Sequence, residues 1–263
     1  MFNVTPMVRN LLLINVALLF LESMGALGNV PKLLALYPWT SEYFQPFQHV
    51  TYMFLHAGFG HLLSNMFGLF SFGPMLEMRW GAQRFLVFWL VCGVGAGLLY
   101  SGIRQYEISH MRQDRDAFLE APSAVGYSDF FRNYYPEAFD DAAVVANALR
   151  RTPDDARLQQ SAIRTVDEIY QASNNVPMVG ASGALFGILL AFAYLFPNTE
   201  LMLLFFPFPI KAKYFVALYG LYELYGGIQR APGDTVAHFA HLGGMLFGFL
   251  LLKYWERHHS RFY

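Results

Sequence analysis

The chain has 263 residues, with 18 Lys and Arg against 19 Asp and Glu, and 55% of its residues are hydrophobic while only 14% are charged. An ordinary soluble domain is about one quarter charged, so this apolar excess is more than one globular core buries and points to a polytopic membrane protein. The formal net charge of −1 leaves no basic footprint for nucleic acid, and a single cysteine, Cys92, excludes an internal disulfide and a cysteine-built zinc site while leaving the redox compartment open.

Apolar stretches long enough to cross a bilayer, allowing for tilt, lie at roughly 10–28, 60–77, 83–103, 179–196, 213–228 and 235–254. The first lies in MFNVTPMVRNLLLINVALLFLESMGALG, which also resembles a secretory signal peptide; a retained span better suits a chain that keeps re-entering the membrane. The aromatics of YFQPFQHVTYMFLH, ahead of span two, fit an interfacial belt. Span two then opens with His61 and Asn65, four residues apart on one helix face, preceded by His56 in a glycine-containing turn.

The segment from 104 to 178 holds twelve acidic and eight basic residues and is expected outside the membrane as a helical insertion. Within it, DDAAVVANALRR has acids first and Arg150-Arg151 last, as a helix macrodipole favours. Thr152-Pro153-Asp154-Asp155 reads as an N-cap, a first-turn proline and a capping-box acid, and Ile163, Val166 and Tyr170 form one apolar stripe. Two amphipathic helices follow, serving either as a spacer packed on the bundle or as a lid or recruiting element.

The chain thus divides into 1–103 with spans one to three, 104–178 as the insertion, and 179–263 with spans four to six and a short tail. With six crossings both termini share a side. Arg9, Arg79, Arg84, Lys211, Lys213, Lys253, Arg257 and Arg261 all fall on that side, marking it as cytoplasmic. Spans two, four and six then run inward from the outer face, so their first turns lie at similar depth. Span four opens on Gly180-Ala181-Ser182-Gly183, and span six carries His238 and His241 near its start.

Polar groups in spans are costly and usually face a cavity or the bundle interior. Gly183 and Gly187 form a small-residue ridge on span four, and Gly244 and Gly248 form another on span six. Such ridges are common packing devices, but contact between these two would bring the Ser182 hydroxyl towards His241. A serine needs a neighbouring base to become a nucleophile, and histidine serves near neutral pH. No carboxylate is evident to orient His241, so a Ser/His dyad is the economical arrangement. The Asn65 amide, the His61 N–H and the Ser182 backbone N–H are candidate oxyanion donors.

At these residues the sequence resembles the rhomboid family of intramembrane serine proteases. The matching features are His56, His61 and Asn65 in an H-x4-H-x3-N run, Glu77, Arg79 and Gly81 in EMRWG, Gly180-Ala181-Ser182-Gly183, and Ala240-His241 followed by Gly244 and Gly248. The resemblance implies an all-α, six-helix membrane bundle that hydrolyses peptide bonds in or near membrane-spanning substrates through an acyl-enzyme. It assigns Ser182 as nucleophile, His241 as general base and acid, and His61 and Asn65 to the oxyanion hole. It also implies no metal or organic cofactor. His241 rather than His238 fits the family spacing, leaving His238 as a polar wall residue, and Phe186 packs against the imidazole or simply fills core. Glu77 and Arg79 are expected as a charge-paired structural helix end on the cytoplasmic side. The alternative is an inactive rhomboid-like binder of membrane helices. The compact six-span form points to a bacterial inner membrane with the site opening to the periplasm. The long insertion departs from the family core, and sequence leaves the substrate and the oligomeric state undetermined.

Overall fold

A computed structural model describes residues 4–203, 206–229 and 236–258. Helix α1 (Pro6–Ser23) starts with proline in its first turn, where no intrahelical N–H is needed. Its free N–H groups at Met7 and Val8 donate to the Glu77 carboxylate at 2.9 and 2.8 Å, and the Thr5 hydroxyl donates to the same group. Glu77 is therefore turned onto the start of α1 as a cap borrowed from another helix, not onto Arg79, whose guanidinium lies over the Phe196 ring. The expected charge-paired helix end is corrected accordingly.

A first loop follows, with the short helices α2 (Val30–Leu34) and α3 (Gln48–Thr51). The buried Gln48 amide ties it together by donating to the carbonyls of Leu33 and Tyr43. Next come α4 (Phe59–Trp80) and α5 (Ala82–Glu120), separated by Gly81 at φ +81°. The latter has 39 residues, so the expected third span is the first half of a rod that runs unbroken into the insertion.

The insertion has its own apolar core, built by Ile108, Met111 and Phe118 of α5 with α6 (Ala124–Tyr134), α7 (Phe139–Arg151) and α8 (Ala156–Asn174). DDAAVVANALRR falls within α7, but the expected start of the next helix shifts: Thr152 ends α7, its hydroxyl donating to the Ala148 carbonyl, and Asp155 caps α8 by accepting from the N–H of Arg157 and Leu158. The acid wins because its carboxylate reaches two orphan donors at once. Arg115 of α5 pins α8 through Asp167 at 2.7 Å and lies over the Tyr170 ring.

The chain then re-enters the bundle. Helix α9 (Ser182–Leu195) has ten of its fourteen residues buried and is the central element. A two-stranded antiparallel ribbon, β1 (Glu200–Leu203) and β2 (Phe206–Lys211), which the helical reading did not anticipate, leads to α10 (Ala212–Gln229) and α11 (His238–His258). Among the described residues, α1 and α5 are long and apolar enough to cross a membrane by length and composition, and α9 is a shorter apolar helix. At 1.5 Å per residue its 14 residues rise about 21 Å, short of a ~30 Å hydrocarbon core. Length alone therefore does not establish six crossings.

Helices α5, α9 and α11 meet where side chains are absent. A methyl group at Gly244 would fall on the Gly183 carbonyl, and one at Gly187 on the Cys92 side chain, while Gly248 faces the Gly187 Cα. The two glycine ridges thus pack backbone against backbone, with Cys92 and Ala96 of α5 closing the third side. Gly244→Ala should force α9 and α11 apart and destabilise by about 3 kcal/mol, the upper end for overpacking, because the opposing atoms are main chain. Gly102→Ala, at a helical position with open space around it, should instead stabilise by about 0.5–1 kcal/mol. Thermal melting of the detergent-solubilised protein checks both signs.

Candidate active site

The segment leading to Ser182 is held by main chain before any side chain acts. Leu36 and Met178 exchange both hydrogen bonds of an antiparallel bridge, at 3.0 and 2.8 Å, and the Gly180 N–H donates to the Tyr52 carbonyl at 3.0 Å. Tyr52 is itself fixed, its hydroxyl donating to the Gly93 carbonyl of α5. Gly180 sits at φ +126°, a conformation an L side chain rarely adopts. The turn so formed delivers Ser182 to the first position of α9, where backbone N–H groups have no intrahelical acceptor.

His241 arrives from the first turn of α11. Its Nε2 lies 2.8 Å from Ser182 Oγ, within hydrogen-bond distance. Phe186, one turn beyond Ser182, stacks on the imidazole with ring centroids 4.1 Å apart and planes 9° from parallel, and Tyr219 of α10 meets Phe186 edge-on. Ser182 is half-buried and His241 buried.

Helix α4 supplies the opposite wall. The Ala57 N–H points to His61 Nδ1 at 3.4 Å, leaving Nε2 as the protonated nitrogen, and a Cβ added to Gly180 would stand 2.8 Å from that Nε2. The same Cβ would lie 3.8 Å from Asn65 Nδ2, which is buried and without a hydrogen-bond acceptor among the described residues. Two N–H donors therefore face the Gly180 turn. His56 is buried beside them, its ring 5.1 Å from that of His61 and edge-on to it. Gly183, Gly244 and Gly248 lie at the helix contacts already described, and Glu77 and Arg79 stand in the end turns of α4, remote in sequence from its His61 end.

One group escaped the sequence reading. Glu223 of α10 is buried, with Oε2 2.6 Å from His238 Nδ1 and 2.8 Å from His241 Nδ1. A carboxylate does stand beside His241, contrary to the expectation that none is placed there. The available signal was a lone acid in an otherwise uncharged stretch of α10, LYGLYELYGGI.

The bundle thus brings a serine and a histidine from two of its helices within hydrogen-bond distance, with two N–H donors facing the turn before the serine. The Rhomboid domain family model matches residues 43–129 and 162–257, and the chain belongs to the Rhomboid family, whose members are membrane proteins and generally serine proteases. It is 28% identical over 214 residues to an uncharacterised mitochondrial rhomboid protein of Schizosaccharomyces pombe, covering 79% of this chain and 51% of the relative. It is 26% identical over 197 residues to the mitochondrial RHOMBOID-like protein 12 of Arabidopsis thaliana, covering 74% and 42%. Over 74 residues it is 38% identical to the mitochondrial Rhomboid protein 1 of Saccharomyces cerevisiae, covering 28% and 21%. The chain spans about half the length, or less, of these relatives. Their mitochondrial names overturn the expected bacterial inner membrane and its periplasmic opening. The compact helix count behind that expectation carries no information about the compartment.

Gly180→Ala tests the wall. The methyl would meet the His61 ring at 2.7 Å on a backbone already at positive φ. It should slow labelling of Ser182 by a fluorophosphonate by about 100-fold, the size expected for a displacement of the order of 1 Å, with little loss of membrane-extracted protein.

Proposed function

We propose that this protein is a serine endopeptidase that cleaves transmembrane proteins in or near their membrane-spanning segments, with Ser182 as nucleophile and His241 as general base and acid. The observation that carries this reading is the 2.8 Å contact between Ser182 Oγ and His241 Nε2, made by residues from two helices in a family of generally serine proteases. His241 takes the hydroxyl proton as Oγ attacks the carbonyl carbon, then delivers it to the leaving amine, and water releases the acyl group by the same steps. The developing oxyanion is received by His61 Nε2, Asn65 Nδ2 and the Ser182 backbone N–H. Phe186 keeps the imidazole plane in register with the serine.

In this reading the six apolar helices form one membrane bundle, with polar groups in α4, α10 and α11 diluting their hydropathy and the 14-residue α9 too short to cross by its helix alone, and residues 104–178 stand outside as a separate helical insertion between 1–103 and 179–263. The basic clusters mark one side of the membrane, and the site opens to the other. The mitochondrial relatives support a mitochondrial membrane as the location.

Ser182→Ala and His241→Ala should each reduce cleavage of a model transmembrane substrate by at least about 1000-fold while leaving the protein in the membrane fraction. Wild-type-like cleavage by either purified variant would sink the assignment. Failure of well-folded wild type to cleave or to react with a fluorophosphonate would assign the chain to a non-catalytic binder of membrane helices.

A further inference from the structure

Only 1% of the surface of Glu223 is exposed, and its neighbours along α10 are Leu, Tyr and Gly. A carboxylate in such a place is strongly disfavoured unless donors or opposite charge face it. Among the described residues, the two ring nitrogens that face it come from α11. His238 Nδ1 makes the hydrogen bond to Oε2, at 2.6 Å. His241 Nδ1 stands 2.8 Å from the same oxygen but off the line of its ring N–H, and makes no hydrogen bond among the described residues.

We propose that Glu223 is the buried counter-charge of the imidazolium formed on His241, and that His238 is the positioning residue that holds this carboxylate in place. This rests on the Ser182 and His241 roles proposed above and extends the pair into a line of four groups across α9, α11 and α10. When Ser182 Oγ bonds to the carbonyl carbon, its proton passes to His241 Nε2 and the carbonyl π electrons move onto oxygen. The ring is then positive, with a carboxylate oxygen against its other nitrogen. Glu223 stays ionised and takes up no proton. On collapse the C–N bond breaks, and the same proton moves from Nε2 to the amine nitrogen. The attraction is greatest while the imidazolium exists, so it lowers the barrier more than it tightens substrate binding. Because the Nδ1 N–H is not aimed at Oε2, ring orientation falls to the stacked Phe186, and Glu223 supplies charge.

Among the described residues, the titratable groups around this carboxylate are His238 and His241 of α11, Tyr219 and Tyr222 of its own helix, and, beyond His241, His61 of α4. Ser182 and Phe186 of α9 bring no charge to it.

E223Q keeps the side-chain volume and removes the charge. In the full chain it should lower kcat on a model transmembrane substrate by about 100-fold with KM within about threefold of wild type. The acid limb of kcat/KM should move to lower pH, because a neutral amide no longer favours the protonated ring. E223D, which restores the charge one methylene short, should recover part of kcat and return the limb towards wild type. H238L leaves the carboxylate without its hydrogen bond, free to turn to His241 alone, and should move the limb the opposite way, to higher pH. A lowered kcat with an unmoved limb in both E223Q and H238L marks a structural role and overturns the proposal, as does a wild-type profile in E223Q.

A turnover-independent measurement separates this from the nucleophile assignment. In the Ser182→Ala protein the His241 ring, followed by 15N NMR, should titrate at lower pH once E223Q is added. An unchanged midpoint overturns the counter-charge role whatever Ser182 does. Activity surviving in Ser182→Ala alone overturns the nucleophile instead, and leaves this titration valid.

Discussion

The contact of Gly183 and Gly187 with Gly244 and Gly248 is the constraint on which the site depends. Without side chains between them, α9 and α11 approach until main-chain atoms touch, and at that separation a serine on one helix and a histidine on the other fall within a hydrogen bond. Any larger residue at the contact would restore an ordinary interhelical distance of about 8–10 Å and pull the two functional atoms apart. The packing that joins the helices and the geometry of the Ser182–His241 pair are thus the same fact. The third wall, Cys92 and Ala96 of α5, is small for the same reason.

What was legible in the sequence follows from how few places a polar group can occupy in an apolar helix. Ser182, His241, His61 and Asn65 stand out because each interrupts hydrocarbon near a helix start, and the glycine periodicity indicates which faces meet. The helical character of 104–178 was legible from charge order and apolar spacing. The start of α8 was misplaced because Thr152 and Asp155 are both good caps, and only the folded turn decides which side chain reaches the free N–H groups. The ribbon at 200–211 escaped because β2 contains Pro207 and Pro209, residues tolerated only at strand edges.

Glu223 was missed for a more instructive reason. An acid flanked by tyrosines and leucines resembles a surface residue until the partners arrive, and those partners sit on a different helix fifteen or more residues away. Helix α10 has few buried positions among its described residues, yet one of them is this carboxylate. A helix with few buried positions nonetheless carries a buried carboxylate in contact with two histidines of α11.

The junction between insertion and bundle has a further consequence. Asn174 and Asn175, at the end of α8, hold Thr40 and Ser41 of the first loop by side-chain hydrogen bonds, and seven residues later comes Ser182. These pairs join positions 134 apart in the chain, so they close a long loop between the first loop and the end of the insertion. The turn at Gly180 is completed by the same convergence, through Leu36 and Tyr52. The turn that carries Ser182 is therefore tied at once to the first loop, to the short helices ahead of α4 and, through Asn174 and Asn175, to the end of the insertion.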